Sequence, residues 1–78
     1  PRALLLFFKI RLVKILNIGL KIKTLRMTNN LSQRAFAESL NKSHCLICKW
    51  ERGRAYPSIP ILMDICKIFD IDINYFFS

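Results

Sequence analysis

The chain of 78 residues lacks a long apolar run, a small-residue cleavage site and enough acidic side chains to balance its basic ones. The first apolar run, Ala3–Phe8, ends at Lys9, whereas a membrane-spanning helix needs about 20 residues. A signal peptide is also a poor interpretation, because no small-residue cleavage site follows this run. The composition, with 53% apolar residues, is instead typical of one small folded domain.

The chain has only three cysteines, Cys45, Cys48 and Cys66, which is an odd number. Small secreted domains usually carry an even set, so the count favours a reducing setting, and we expect a cytoplasmic protein. A structural zinc site needs four ligands. His44 points off the helix face that Cys45 and Cys48 would share, and Cys66 is distant. We therefore expect no metal and no cofactor.

Positive charge is concentrated at one end of the chain. There are 13 Lys and Arg residues against 5 Asp and Glu, giving a formal net charge of +8. Residues 1–26 carry seven basic and no acidic side chains, residues 27–56 five and two, and residues 57–78 one and three. An excess of this sign indicates a polyanionic partner, either nucleic acid or an anionic membrane surface.

Residues 1–16 form a basic, apolar N-terminal extension that we treat apart from residues 17–78. Phe8–Leu12 alternates like a strand, but Leu5, Phe8, Leu12 and Ile15 fall at helical spacing, and nothing breaks the chain before Gly19. We therefore expect an extra N-terminal helix. Its charges do not gather on one face, so a membrane partner is not favoured. The alternative is a membrane-surface or protein-interaction peptide built on this segment.

Residues 17–78 show a regular series of helix starts and stops, which predicts about five short helices and an all-α fold. The caps and breaks are Thr28–Asn30, Ser32, Asn41–Lys42, Ser43, Gly53, Ser58 with Pro60, and Asp72. The apolar residues predicted to face the core are Ile18, Ile22, Leu25, Phe36, Ala37, Leu40, Ile47, Trp50, Leu62, Ile65 and Phe69. The second and third helices are joined by a minimal turn, which can project one helix from the domain.

The order and spacing of four short motifs carry a family resemblance. They are Leu31-Ser32-Gln33, Phe36-Ala37-Glu38, Trp50-Glu51-Arg52-Gly53 and Pro57-Ser58-Ile59. Each is weak alone, but together they are specific. Over Ile18–Phe77 the chain resembles the helix-turn-helix domain of the XRE family, which includes the Cro and phage-repressor proteins. The resemblance implies a compact, lambda-repressor-like bundle whose third helix reads DNA.

The resemblance also implies which residues contact DNA. Gln33 and Ser43 match phosphate-contacting positions at the starts of the second and third helices. His44, Cys45 and Lys49 match positions that meet base edges, with Cys48 at the margin of that set. Arg52, Arg54 and Tyr56 match the loop that grips phosphate. Glu51 matches a structural residue that ties the third helix to nearby backbone or to an arginine.

The chain departs from the family pattern in the turn and in the third helix. Relatives commonly have Gly where this chain has Asn41, and a buried Val-like residue where it has Lys42. Cys45, Leu46 and Cys48 make the recognition helix unusually apolar. Because thiols are weak hydrogen-bond donors, Lys49 is the best specificity candidate, since lysine can reach guanine acceptors.

The sequence thus predicts a sequence-specific transcriptional regulator, a repressor that reads the major groove of double-stranded DNA with the helix at 43–51. A homodimer is expected, because two copies on a pseudo-palindrome raise affinity and specificity. We do not expect an enzyme, because His44 has no spaced carboxylate or hydroxyl partner. The alternative within the same chemistry is an antitoxin, which would add a toxin protein as partner.

Overall fold

Residues 17–77 are described by the computed structural model, and all of their regular structure is helical. The first helix, α1, covers residues 17–28 of this part of the chain. It is followed by α2 (Gln33–Leu40), α3 (His44–Glu51), α4 (Ile59–Phe69) and a closing 3-10 turn (Ile73–Phe76). The predicted all-α fold is confirmed. The helix expected within residues 1–16 lies outside the described residues.

Side-chain caps set most of the helix starts where the sequence predicted them. The Ser32 hydroxyl accepts a hydrogen bond from the Ala35 N–H at 3.0 Å, and the Asp72 carboxylate accepts one from the Asn74 N–H at 2.8 Å. The predicted start of α4 at Ser58 is confirmed in position but not in its hydrogen bonding. Ser58 occupies the N-cap position of α4 but makes no cap hydrogen bond. Pro60 explains part of this, because it stands at a position whose N–H a capping side chain would use.

One apolar core joins the helices. Its buried members are Ile18, Ile22, Leu25, Phe36, Ala37, Ile47, Trp50, Leu62, Ile65 and Phe76. The predicted inward faces are therefore confirmed, although Leu40 and Phe69 are only half-buried. Phe36 stacks on Phe69 with ring centroids 5.3 Å apart, which ties α2 to α4. This core leaves the opposite side of α3 facing solvent.

The turn between α2 and α3 depends on a left-handed residue. Asn41 has φ 56° and ψ 42°, and its N–H donates to the Glu38 carbonyl at 3.1 Å. The next N–H, from Lys42, donates to the Ala37 carbonyl at 2.9 Å. The Lys42 side chain is exposed, so its charge is not buried in the turn. Asn is one of the few residues that adopt this conformation readily, which keeps the turn short.

Helix α1 approaches the end of α3 at Gly19, which is buried. A Cβ at this position would lie well inside the contact distance of the Trp50 carbonyl oxygen, and 3.3 Å from that of Glu51. Both atoms are backbone and cannot rotate away. Glycine is therefore required here by close packing, and it lets α1 lie directly against the last turn of α3.

We expect Gly19→Ala to lower the free energy of unfolding by about 2 to 3 kcal/mol, because α1 and α3 must move apart to accept the methyl group. Urea unfolding followed by Trp50 fluorescence measures the change. The control is Leu20→Ala in the same helix, where the side chain is 61% exposed and the expected change is within about 0.5 kcal/mol. Equal stability of the two variants would contradict the packing constraint.

The left-handed conformation of Asn41 leads to a second prediction about stability. Asn41→Ala should lower the free energy of unfolding by about 1 kcal/mol, because a β-carbon without a compensating amide is strained in the left-handed region. Asn41→Gly should cause no loss, because glycine adopts this conformation freely. Thermal unfolding of both variants checks the order. A glycine variant less stable than the alanine variant would show that the turn does not depend on this conformation.

Candidate nucleic-acid interface

Helix α3 is held so that one side is buried and the other faces solvent. Ile47 and Trp50 are fully buried, whereas Cys45 and Lys49 are exposed and Cys48 is half-buried. The helix begins at Ser43, whose hydroxyl accepts a hydrogen bond from the Leu46 N–H at 3.2 Å. It ends at a turn where Gly53 has φ 74° and the Arg54 N–H donates to the Lys49 carbonyl at 2.9 Å. This turn returns the chain beside the exposed side of the helix.

An ion pair fixes the far end of α3. The Arg26 guanidinium of α1 donates to both carboxylate oxygens of Glu51, at 2.8 and 3.1 Å. It also donates to the Leu31 carbonyl at 2.9 Å, in the turn before α2. The two side chains are only 13% and 5% exposed. The structural role expected for Glu51 is confirmed. The resemblance implied nearby backbone or an arginine as the partner but did not identify Arg26, because no local pattern links residues 25 positions apart.

The same carboxylate orients Gln33, and Gln33 in turn orients His44. Gln33 Nε2 donates to Glu51 Oε1 at 3.2 Å, while Gln33 Oε1 lies 3.0 Å from His44 Nε2. A carboxylate only accepts hydrogen bonds, so the amide must present its NH₂ group to Glu51 and its oxygen to His44. His44 Nε2 must then be a donor. In the neutral ring this leaves Nδ1 as the acceptor.

The exposed side of α3 and the turn after it form a shallow pocket, which we name the α3 outer face. It is lined by His44, Cys45, Cys48, Lys49, Arg52 and Arg54. Three of these residues are cationic, and none is acidic. This arrangement attracts anions and offers both hydrogen-bond donors and thiols.

The structure brings together most of the residues that the resemblance singled out. Six of them line the α3 outer face. Ser43 is exposed at the start of the helix, and Tyr56 is 45% exposed in the following loop. Gln33 lies next to the α3 outer face, where it contacts His44. Both polar atoms of its side chain form hydrogen bonds within the domain, to Glu51 and to His44. Arg34, exposed beside Gln33, is a further cation that the sequence prediction left out.

Two other kinds of feature, a metal-binding cluster and a membrane-spanning helix, are not found in residues 17–77. In this part of the chain no three His, Cys, Asp or Glu side chains lie close enough to hold a metal ion. The helices of the same region also include none of the length and apolar character needed to cross a membrane.

A family model described as helix-turn-helix, HTH_3, matches residues 22–76. The chain belongs to the HTH_3 family. It is 40% identical over 58 residues to the HTH-type transcriptional activator BcrR of Enterococcus faecalis, a match that covers 74% of this chain and 28% of BcrR. An HTH_3 family transcriptional regulator from Vibrio cholerae has a similar crystal structure, with TM-score 0.72 and 28% identity over 83% of this chain and 36% of that one.

The expected resemblance to the XRE-type helix-turn-helix domain is therefore confirmed. The HTH_3 match includes every residue of the Arg26–Glu51–Gln33–His44 network and all of the α3 outer face. The chain spans about a third or less of the length of these two relatives. What the matches share with this chain is thus the HTH_3 domain.

We expect Glu51→Gln to lower the free energy of unfolding by about 3 kcal/mol, because it leaves the mostly buried Arg26 without its counter-charge. Chemical denaturation measures this value. The matched control is Glu38→Gln, the same chemical change at an exposed position of α2, where the expected change is within about 0.5 kcal/mol. If both variants lose the same free energy of unfolding, the ion pair does not hold α3 in place.

Proposed function

We propose that this chain binds double-stranded DNA by placing α3 in the major groove, and that it acts in transcriptional regulation. The observation that carries the proposal is the α3 outer face, a cationic surface on a helix that its polar network fixes in orientation. An α-helix fits the major groove of B-DNA, where each base pair presents a distinct pattern of donors and acceptors. The family membership and the names of the two relatives support the same interpretation.

Phosphate contacts supply most of the affinity in this proposal. Arg52 and Arg54 are exposed in the turn after α3, and Ser43 and Tyr56 are exposed at either end of the segment. Gln33 would contact phosphate through its backbone N–H at the start of α2, because its side chain is engaged by Glu51 and His44. If about 4 phosphates are neutralised, the slope of log affinity against log salt should be about −3.6 per domain.

Base reading falls to Lys49 and His44, with Cys45 and Cys48 beside them. Lys49 is exposed and long enough to donate to the guanine O6 and N7 acceptors. The hydrogen bond to Gln33 uses His44 Nε2 as donor, so the neutral ring offers Nδ1 to amino groups, which adenine and cytosine carry in the major groove. The thiols add weak contacts. We infer that Lys49 and His44 read different bases of the same half-site.

We further propose a repressor that binds as a homodimer. Dimerisation is supported by exposed apolar side chains on α4, including Ile59 and Met63 at 56% and 50%, and by the small surface that one such module buries. The name of the BcrR relative shows that an activator can carry this domain. The antitoxin alternative, with its toxin partner, and the interaction role of residues 1–16 stay predictions.

The proposal predicts separable effects of the cations. Arg52→Ala with Arg54→Ala should weaken binding to all duplexes and make the salt slope shallower by about 1.8, since each lost phosphate contact removes about 0.9. Lys49→Ala should instead relax base preference at one position by about 1 to 3 kcal/mol. Fluorescence anisotropy at several salt concentrations, on duplexes selected from a random pool, measures both.

The matched control is Lys67→Ala, which removes one exposed positive charge from α4, away from the α3 outer face. The salt slope of this variant, and the DNA sequence that it selects from the pool, should equal those of the unchanged chain. If the Arg52 and Arg54 variant keeps the original affinity and slope, α3 is not the DNA-binding element. A promoter fusion with the selected site then tells repression from activation by the sign of the change.

A further inference from the structure

Two thiols lie among the cations of the α3 outer face, where the packing of the domain does not require them. Cys45 is exposed and Cys48 is half-buried, and both are free thiols. The core positions of the helix are filled by Ile47 and Trp50. The thiols therefore need an explanation from chemistry at the surface.

The spacing of the two cysteines allows them to act as a pair. They are three residues apart in α3, which puts them on one side of the helix. An ideal helix separates such Cα atoms by about 5 Å, which is inside the range of about 4.4 to 6.8 Å found in disulfides. Cys45 lies in the first turn of α3, two residues after the Ser43 cap. The Cβ atoms of such helix neighbours are about 5 to 6 Å apart, whereas disulfides have about 3.5 to 4.5 Å. An intrahelical disulfide therefore forms only when the first turn of α3 shifts to bring the two side chains together.

The charged residues around the two cysteines favour reagents of negative charge. Lys49, Arg52 and Arg54 line the same pocket as the thiols, and no acidic side chain does. Reactive cysteines are typically found in electropositive, partly exposed settings. An anionic disulfide is attracted to this pocket, whereas a cationic one is repelled.

We propose that Cys45 and Cys48 form a reactive dithiol site on the α3 outer face, whose substrate is an anionic low-molecular-weight disulfide. The Cys45 thiolate attacks one sulfur of the reagent, forms a mixed disulfide and releases one thiolate. Cys48 then gives its proton to solvent and attacks the Cys45 sulfur, which releases the second thiolate. In sum, two protein thiols are oxidised to one disulfide and the reagent is reduced to two thiols.

The inference rests on the proposed function for its consequence. If the α3 outer face contacts DNA, then bound DNA covers Cys45, and oxidation of the pair distorts the first turn of the reading helix. Oxidation should therefore weaken DNA binding at least tenfold, and reduction with excess dithiol should restore it.

Cys66 is an internal control for the reaction. It lies on α4, half-buried in a groove with Ile59 and Met63. Burial raises the pKa of the Cys66 thiol, and the carboxylate of Asp72 raises it further. Because the thiolate is the nucleophile, Cys66 should react more slowly than Cys45 near neutral pH.

In the test, the reduced protein is incubated with glutathione disulfide or with cystamine, its cationic counterpart. Intact mass and peptide mapping follow the reaction at each cysteine. At low salt the anionic reagent should react with Cys45 on the order of ten times faster than cystamine, and the ratio should fall toward one in 1 M salt. Lys49→Gln with Arg52→Gln should lower the ratio, whereas Lys67→Gln should not. The unchanged chain should end two hydrogens lighter, and Cys48→Ser should stop as a glutathione adduct on Cys45.

The proposed site is wrong if a Cys45→Ser variant keeps the fast reaction. It is also wrong if the ratio of the two reaction rates does not depend on the charge variants or on salt, or if the unchanged chain keeps a stable glutathione adduct. A short mixed-sequence duplex, added at low salt, separates this inference from the proposed function. If the dithiol reacts as described but the duplex neither protects Cys45 nor loses affinity on oxidation, the site stands and the assignment of α3 to DNA is wrong.

Discussion

The ion pair between Arg26 and Glu51 is the interaction on which the arrangement of α3 depends. Two charges that are largely withdrawn from water are tolerated only when each is paired and their remaining hydrogen-bonding groups are satisfied. Here Arg26 contacts both carboxylate oxygens of Glu51 and the Leu31 carbonyl. Because Glu51 is the last residue of α3 and Leu31 precedes α2, one guanidinium fixes three segments relative to one another.

The pair depends in turn on how closely the helices approach. Gly19 lets α1 lie against the Trp50 and Glu51 carbonyls, which a side chain at that position would prevent. The Glu51 side chain is only 5% exposed, and a carboxylate shielded from water holds Gln33 more firmly. Gln33 then restricts the His44 ring to one donor arrangement. A residue without a side chain, buried in α1, thereby influences which hydrogen-bonding group a surface histidine of α3 presents.

The helix boundaries could be predicted from the sequence because their causes are local. Ser32, Ser43 and Asn41 act within three or four residues, and apolar spacing reveals the buried faces. The polar network could not be predicted in this way, because its partners are 11, 18 and 25 residues apart. For Ser58 a local rule failed in part because another local feature, Pro60, removes one of the two N–H groups that a capping side chain can use.

The α3 outer face shows where the demands of the fold end. Ile47, Trp50 and Glu51 are constrained by the core and the network, whereas the exposed position of Cys45 accepts any helix-forming side chain without loss of packing. A helix selected only for affinity toward DNA would gain from stronger donors than thiols at this face. Cysteine at two positions on one side of the helix gives up that binding strength. What it supplies in return is reactivity, and the three cations around the pair determine which reagents reach it.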